Sequence, residues 1–95
     1  MNILITAATS AEAQKLKNKL APAPVILGDY HELPEFMKMI RLPNPTSVSY
    51  VHEMLTLCLD KQIDTIYALR DDEAFLLRQA EQLFTEYGIT VVDGQ

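Results

Sequence analysis

The sequence predicts an α/β fold, an open and mostly parallel sheet of about four to five strands with helices on both faces. Three observations carry that expectation. Short runs rich in Ile, Leu and Val recur at Asn2 to Thr6, Val25 to Asp29 and Ile63 to Leu69, and continuous apolarity marks a parallel strand covered on both sides. Between the runs lie segments whose apolar residues repeat at helical spacing, Ala13, Leu16 and Leu20 being the first set. The resulting order, βαβ(α)βαβαβ, requires crossover connections, which in such sheets are right-handed. The architecture is therefore three-layered and Rossmann-like.

Each element follows in turn. After the first strand, Ala7, Ala8, Thr9 and Ser10 form a small-residue turn, and Ser10 or Thr9 caps the first helix. Ala21-Pro22-Ala23-Pro24 ends that helix, with Pro24 at the start of the second strand, where no ladder donor is missed. His31 to Arg41 is ambiguous. Leu33, Phe36, Met37 and Ile40 have helical spacing, whereas Met39 to Leu42 suits a short strand, so a helical turn followed by a brief edge strand is expected. Pro43 and Pro45 close the segment, and Thr46 or Ser47 starts a strong helix with a buried stripe of Val48, Val51, Met54 or Leu55, Cys58 and Leu59. Ile63 to Leu69 is the next strand. Arg70-Asp71-Asp72-Glu73 leads into one last helix, whose apolar face is Leu76, Leu77, Ala80, Leu83, Phe84 and Tyr87. Gly88 is placed to end it in the left-handed conformation, and Ile89 to Val92 is the final strand. No repeat or linker interrupts the series, so residues 1–95 read as a single domain.

Composition narrows the function classes. A chain of 95 residues buries roughly 60 to 65% of its unfolded surface, a modest core. No run of about 18 apolar residues is available to span a membrane. The opening MNILIT lacks the basic region and cleavage site of a signal peptide, so a cytoplasmic protein is expected. One cysteine, Cys58, cannot form an internal disulfide and sits in an apolar stripe, where it reads as a small hydrophobe. The net charge of -5 argues against a nucleic-acid partner, which needs clustered Lys and Arg. Lys15, Lys17 and Lys19 are two apart and make no stripe on a helix.

Candidate site residues follow from where the strands end. In an open α/β sheet, ligands bind in the crevice at the carboxyl ends of the strands. That singles out Ala7, Ala8, Thr9 and Ser10 after the first strand, and Asp29 with Tyr30, His31 and Glu32 after the second. The latter group reads either as the polar wall of a small-molecule site or as a solvated loop. Asp29 also stands where a dinucleotide fold keeps its ribose-binding acid, but the first turn has no glycine, which disfavours a nicotinamide or flavin cofactor. No cofactor is expected. After Leu69, Arg70 is suited to pair with a substrate carboxylate and Asp72 completes the candidate set. Asp71, Asp72 and Glu73 mainly cap the helix, and together they would repel a phosphate. His31 and His52 lack metal-ligand spacing. No Gly-x-Ser-x-Gly elbow is present, and no catalytic residue is assigned.

Read as an ordered series, ILITAATSAEAQKL, VILGDYHELP and MIRLPNPTSVSYVHEMLTLCLDKQIDTIYALRDDEAFLLRQAEQLFTEYGITVV resembles the N-terminal, pre-ATP-grasp domain of ATP-grasp ligases, in the group related to the large subunit of carbamoyl phosphate synthase. The echoes are Asp29 at a strand end, Leu42-Pro43 through Tyr50 before a helix, Lys61 to Asp64 opening a strand, and Asp71 to Glu73 opening the last helix. The resemblance implies a domain that helps hold an acceptor substrate. The family's first turn commonly carries glycines, where this chain has Ala7, Ala8, Thr9 and Ser10. The sequence ends at Gln95, where such an enzyme continues into the lobes that grip ATP and magnesium, so a ligase activity is not expected of this stretch alone. The expected role is a non-catalytic module that binds a small polar ligand or docks onto an ATP-grasp partner in trans, a homodimer being one way to cover the freed surface. The alternatives are a structural self-association domain and a nucleotide-cofactor domain.

Overall fold

A computed structural model describes residues 2–7, 10–30 and 40–92. Its five strands are β1 (Asn2–Ile5), β2 (Val25–Asp29), β3 (Ile40–Arg41), β4 (Ile63–Tyr67) and β5 (Thr90–Val92), and its helices are α1 (Ala11–Leu20), α2 (Tyr50–Asp60), α3 (Asp71–Gln79) and α4 (Glu81–Glu86). All strand pairs are parallel, in the order β3-β2-β1-β4-β5. The chain builds outward from β1 to one edge, then returns past it to add β4 and β5. The order in which strands are added reverses between β1 and β4, the position where open α/β sheets form a ligand crevice. The fold is the expected α/β, Rossmann-like one.

The pleat divides the core. Leu4 of β1, Ile66 of β4 and Val91 of β5 pack with Tyr50, Met54 and Cys58 of α2, Leu77 of α3 and Phe84 of α4 in one buried cluster. Ile5, which the strand's alternation turns to the opposite face, and Ala13 of α1 are fully buried outside that cluster. Among the described residues, no helix is long and apolar enough to cross a membrane.

Several local expectations hold. The Ser10 hydroxyl caps α1 by accepting the Ala13 N–H at 3.1 Å, and Gly88 has φ 77 after α4. The short edge strand is present as β3. The helical turn expected before it falls on residues 31–39, outside the described residues.

Three expectations are corrected. α2 starts at Tyr50 and not at Thr46 or Ser47. Polar side chains hold the preceding residues in turns: Asn44 Oδ1 accepts both the N–H and the hydroxyl of Thr46, and Ser47 Oγ accepts the Ser49 N–H while donating to Glu53. The later start leaves Val48 fully exposed and makes Tyr50, Met54 and Cys58 the buried stripe, with Leu59 outward. The last helix is two helices that meet at Ala80, whose φ of -103 and ψ of 13 interrupt the α conformation. The break lets Leu77 and Phe84 both reach the core while Tyr87 stays exposed. Glu73, expected to serve mainly as a cap of the helix, is fully buried with its carboxyl on the Tyr50 hydroxyl of α2.

Candidate functional site

The carboxyl ends of β1, β2 and β4 converge on a small polar cluster. At the end of β1, the Thr6 backbone N–H donates to the Tyr67 carbonyl at 3.1 Å and its hydroxyl accepts the Leu69 N–H at 2.9 Å. This ties the first turn to the end of β4. Ala7 follows with φ 52 and is nearly buried, its carbonyl accepting the Ser10 N–H at 2.9 Å. A non-glycine residue in the left-handed region costs about 1–2 kcal/mol, so the turn is held in a conformation its side chain does not favour.

Asp29 ends β2 with its carboxylate fully buried. Arg70, in the loop after β4, donates from Nη2 to both Asp29 oxygens at 3.0 and 2.9 Å, and the Tyr30 backbone N–H donates to Oδ1 at 2.8 Å. The guanidinium also lies over the Tyr30 ring, 4.8 Å from its centre, a cation–π contact. Burial weighs against the Arg70 charge, but the hydrogen bond and charge of Asp29 outweigh it, so its pKa is held above the ordinary value.

Glu73 lies in the first turn of α3. Its Oε1 accepts from the Tyr50 hydroxyl at 3.2 Å, while its Oε2 and the nearby Arg70 Nε are both buried without a hydrogen-bond partner. Desolvation pushes the Glu73 carboxyl up from 4.5 to about 7, aided by the Asp72 charge and opposed by Tyr50, Thr6 and Arg70. The Thr6 hydroxyl, like Tyr50, favours the charged form of this carboxyl. Burial, then Glu73, raises the Tyr50 pKa well above its ordinary value, so Tyr50 stays a phenol donor. Burial likewise pushes the Cys58 thiol up to about 12, which keeps it unreactive.

Beside this cluster is a groove of about 430 Å³ lined by Tyr30, Arg41, Leu42, Pro43, Asn44, Glu53 and Leu57. That volume falls within the range of small-molecule sites. It opens at the carboxyl ends of β2 and β3, and Tyr30 is the wall it shares with the Arg70–Asp29 pair. Arg41 is exposed at its rim. Gly28 allows Leu42 to pack closely here, since a β-carbon at position 28 would lie 2.8 Å from Leu42 Cδ2.

Of the residues singled out in the sequence, Asp29 and Arg70 are brought into direct contact. Ala7 and Ser10 lie in the adjacent turn, with the Ser10 hydroxyl used as a helix cap. Asp72 is exposed, its carboxylate accepting the Glu73 N–H at 2.8 Å. Ala8, Thr9, His31 and Glu32 lie outside the described residues. His52 is exposed, and no cluster that could hold a metal occurs among the described residues. Sequence reasoning missed Glu73, Tyr50 and Arg41. For Glu73 a signal existed, because it stands in helical phase with Leu77 and Ala80. No protein-family model matches this chain, and no curated protein matches it.

Proposed function

We propose that this domain is a non-catalytic binding module that holds a small polar ligand at the carboxyl ends of its strands. The observation that carries the reading is the groove walled by Tyr30, whose ring is fixed in turn by the Arg70–Asp29 pair. Leu42, Pro43 and Leu57 give it apolar lining, while Arg41, Asn44 and Glu53 offer polar groups of both kinds. A few polar groups on an apolar surface are the common makeup of a ligand site. The resemblance to pre-ATP-grasp domains belongs to the same proposal: such a module would hold an acceptor substrate while nucleotide-gripping lobes are supplied in trans. A thermal-shift screen against amino acids, small carboxylates, ATP, ADP and nicotinamide cofactors tests it. Specific binding at a hundredfold excess over Kd adds about 2.7 kcal/mol of stability, roughly a 10 °C rise or more for a domain of this size. The expected result is such a rise with an amino acid or carboxylate, lost in Tyr30→Ala. Silence across the panel overturns the reading.

A second reading, docking onto an ATP-grasp partner or a second copy, is favoured by Phe75 and Tyr87, which are 64% and 54% exposed. Light scattering at tens of micromolar tests the self-association form, and a monomer there removes it.

A further inference from the structure

We infer that Glu73 is a positioning residue that sets Arg70, and through it the Tyr30 wall of the groove, according to whether its carboxyl carries a proton. The inference concerns regulation of the site proposed above and rests on that reading for its use, but its geometry stands independently. Buried Tyr50, Glu73 and Asp29 and the half-buried Arg70 and Tyr30 lie in series: Tyr50 of α2 donates to Glu73 of α3, and Arg70 holds Asp29 of β2 while covering the Tyr30 ring. Among the described residues, this chain contains the two buried side-chain atoms without a hydrogen-bond partner, Glu73 Oε2, an acceptor, and Arg70 Nε, a donor. They belong to residues three apart that interact electrostatically. A buried polar group left unpaired is costly, so an arrangement that joins these two is favoured once Glu73 is charged.

The two states follow from the donor inventory. With Glu73 neutral, its carboxyl draws Arg70 weakly, and the guanidinium stays on Asp29 and stacked on Tyr30. When the Glu73 proton leaves to solvent, the buried carboxylate has one oxygen on the Tyr50 hydroxyl, while Oε2 has no hydrogen bond in the structure and the Thr6 hydroxyl and Arg70 Nε are the donors that face the group. The guanidinium carries five N–H groups in a plane, so it can turn Nε toward Glu73 while Nη2 remains on Asp29. That rotation makes Arg70 a bridge between two carboxylates and lifts its face from Tyr30. The groups facing Glu73 are Tyr50 from α2, Thr6 from the end of β1, Arg70 from the β4–α3 loop and Asp72 from α3 itself. Tyr50 and Arg70 keep their protons across neutral pH. Proton occupancy is set near neutrality by the burial that raises the carboxyl to about 7.

The test is a side-chain NMR titration of the wild-type chain from pH 5.5 to 8.5, following Glu73 Cδ, Arg70 Nε and the Tyr30 ring protons. The expected result is a common midpoint close to pH 7 in all three signals, with the Arg70 and Tyr30 changes absent in Glu73→Gln. Flat Arg70 and Tyr30 signals while Glu73 titrates, or a Glu73 midpoint at its ordinary value, overturn the inference. Tyr50→Phe provides a second, independent check. It removes a donor that favours the charged carboxyl, so all three midpoints should move upward together, and a Glu73 midpoint that moves alone overturns the coupling. No ligand enters this experiment. Coupled titration with a silent compound panel would remove the binding reading and keep the switch, whereas saturable binding with a flat Tyr30 would do the reverse.

Discussion

Replacing Glu73 by Gln should remove a pH dependence of stability that the wild-type chain carries. The folded carboxyl titrates at about 7 and the ordinary value is 4.5, so between these pH values the folded state keeps a proton that the unfolded state has released. Stability therefore falls as pH rises through this window, by at most about 1.4 kcal/mol per pH unit, and levels off above the folded value. Over the whole window the loss is about 3 kcal/mol, the upper end of what one fully buried carboxyl contributes. Gln carries no proton and keeps nearly the same shape. The variant should match the wild type near pH 4.5 and exceed it by about 3 kcal/mol at pH 8, a difference in Tm of roughly 10 to 20 °C for a chain this small. Urea denaturation followed by circular dichroism at pH 5, 6, 7 and 8 reads this directly, provided the slope with denaturant is unchanged by the substitution. Parallel pH profiles for the two proteins would refute the reasoning, because they would mean that burial does not raise the Glu73 carboxyl.

Other substitutions probe the surrounding structure. Arg70→Ala removes the guanidinium that donates to both oxygens of the buried Asp29 carboxylate and should cost about 3 kcal/mol, read as a lower urea midpoint at pH 7. Gln62→Gly should stabilise by up to about 1 kcal/mol, because Gln62 holds φ 56 in the exposed turn after α2 and the relief of left-handed strain exceeds the entropy cost of glycine. A small rise in Tm checks it. Gly28→Ala should destabilise by about 1–3 kcal/mol, since the added methyl would sit 2.8 and 2.9 Å from two carbons of the buried Leu42, and its Tm should drop accordingly.

The strands, the Ser10 cap and Gly88 were legible in the sequence because each depends on a local signal: an apolar run, a hydroxyl three residues before a free N–H, a glycine after a helical stripe. Asp29 and Arg70 were legible as strand-end polar residues, but their pairing was not, since it joins positions 41 apart in the chain through the sheet order. The break at Ala80 was hidden by a periodicity that continues across it. Glu73 was hidden by a rule that is right for most acids in a first helical turn. Its helical phase with Leu77 and Ala80 was the signal that it turns inward, but its partner Tyr50 lies on another helix, and the hydrogen bond between them joins positions 23 apart in the chain. The start of α2 was misjudged because Asn44 and Ser47 compete for the backbone with their side chains, and such competition is settled by the loop's path and not by propensity.

The proposed site for a small polar ligand lies beside Tyr30 at the carboxyl ends of β2 and β3. The most direct measurement is a backbone amide NMR titration of the chain with the compound that gives the largest thermal shift. Saturable shifts are expected to concentrate at Tyr30, Arg41, Leu42, Asn44, Glu53 and Leu57 and to be lost in Tyr30→Ala. Saturable shifts concentrated at Phe75 and Tyr87, or no saturable shift in the groove, would contradict it.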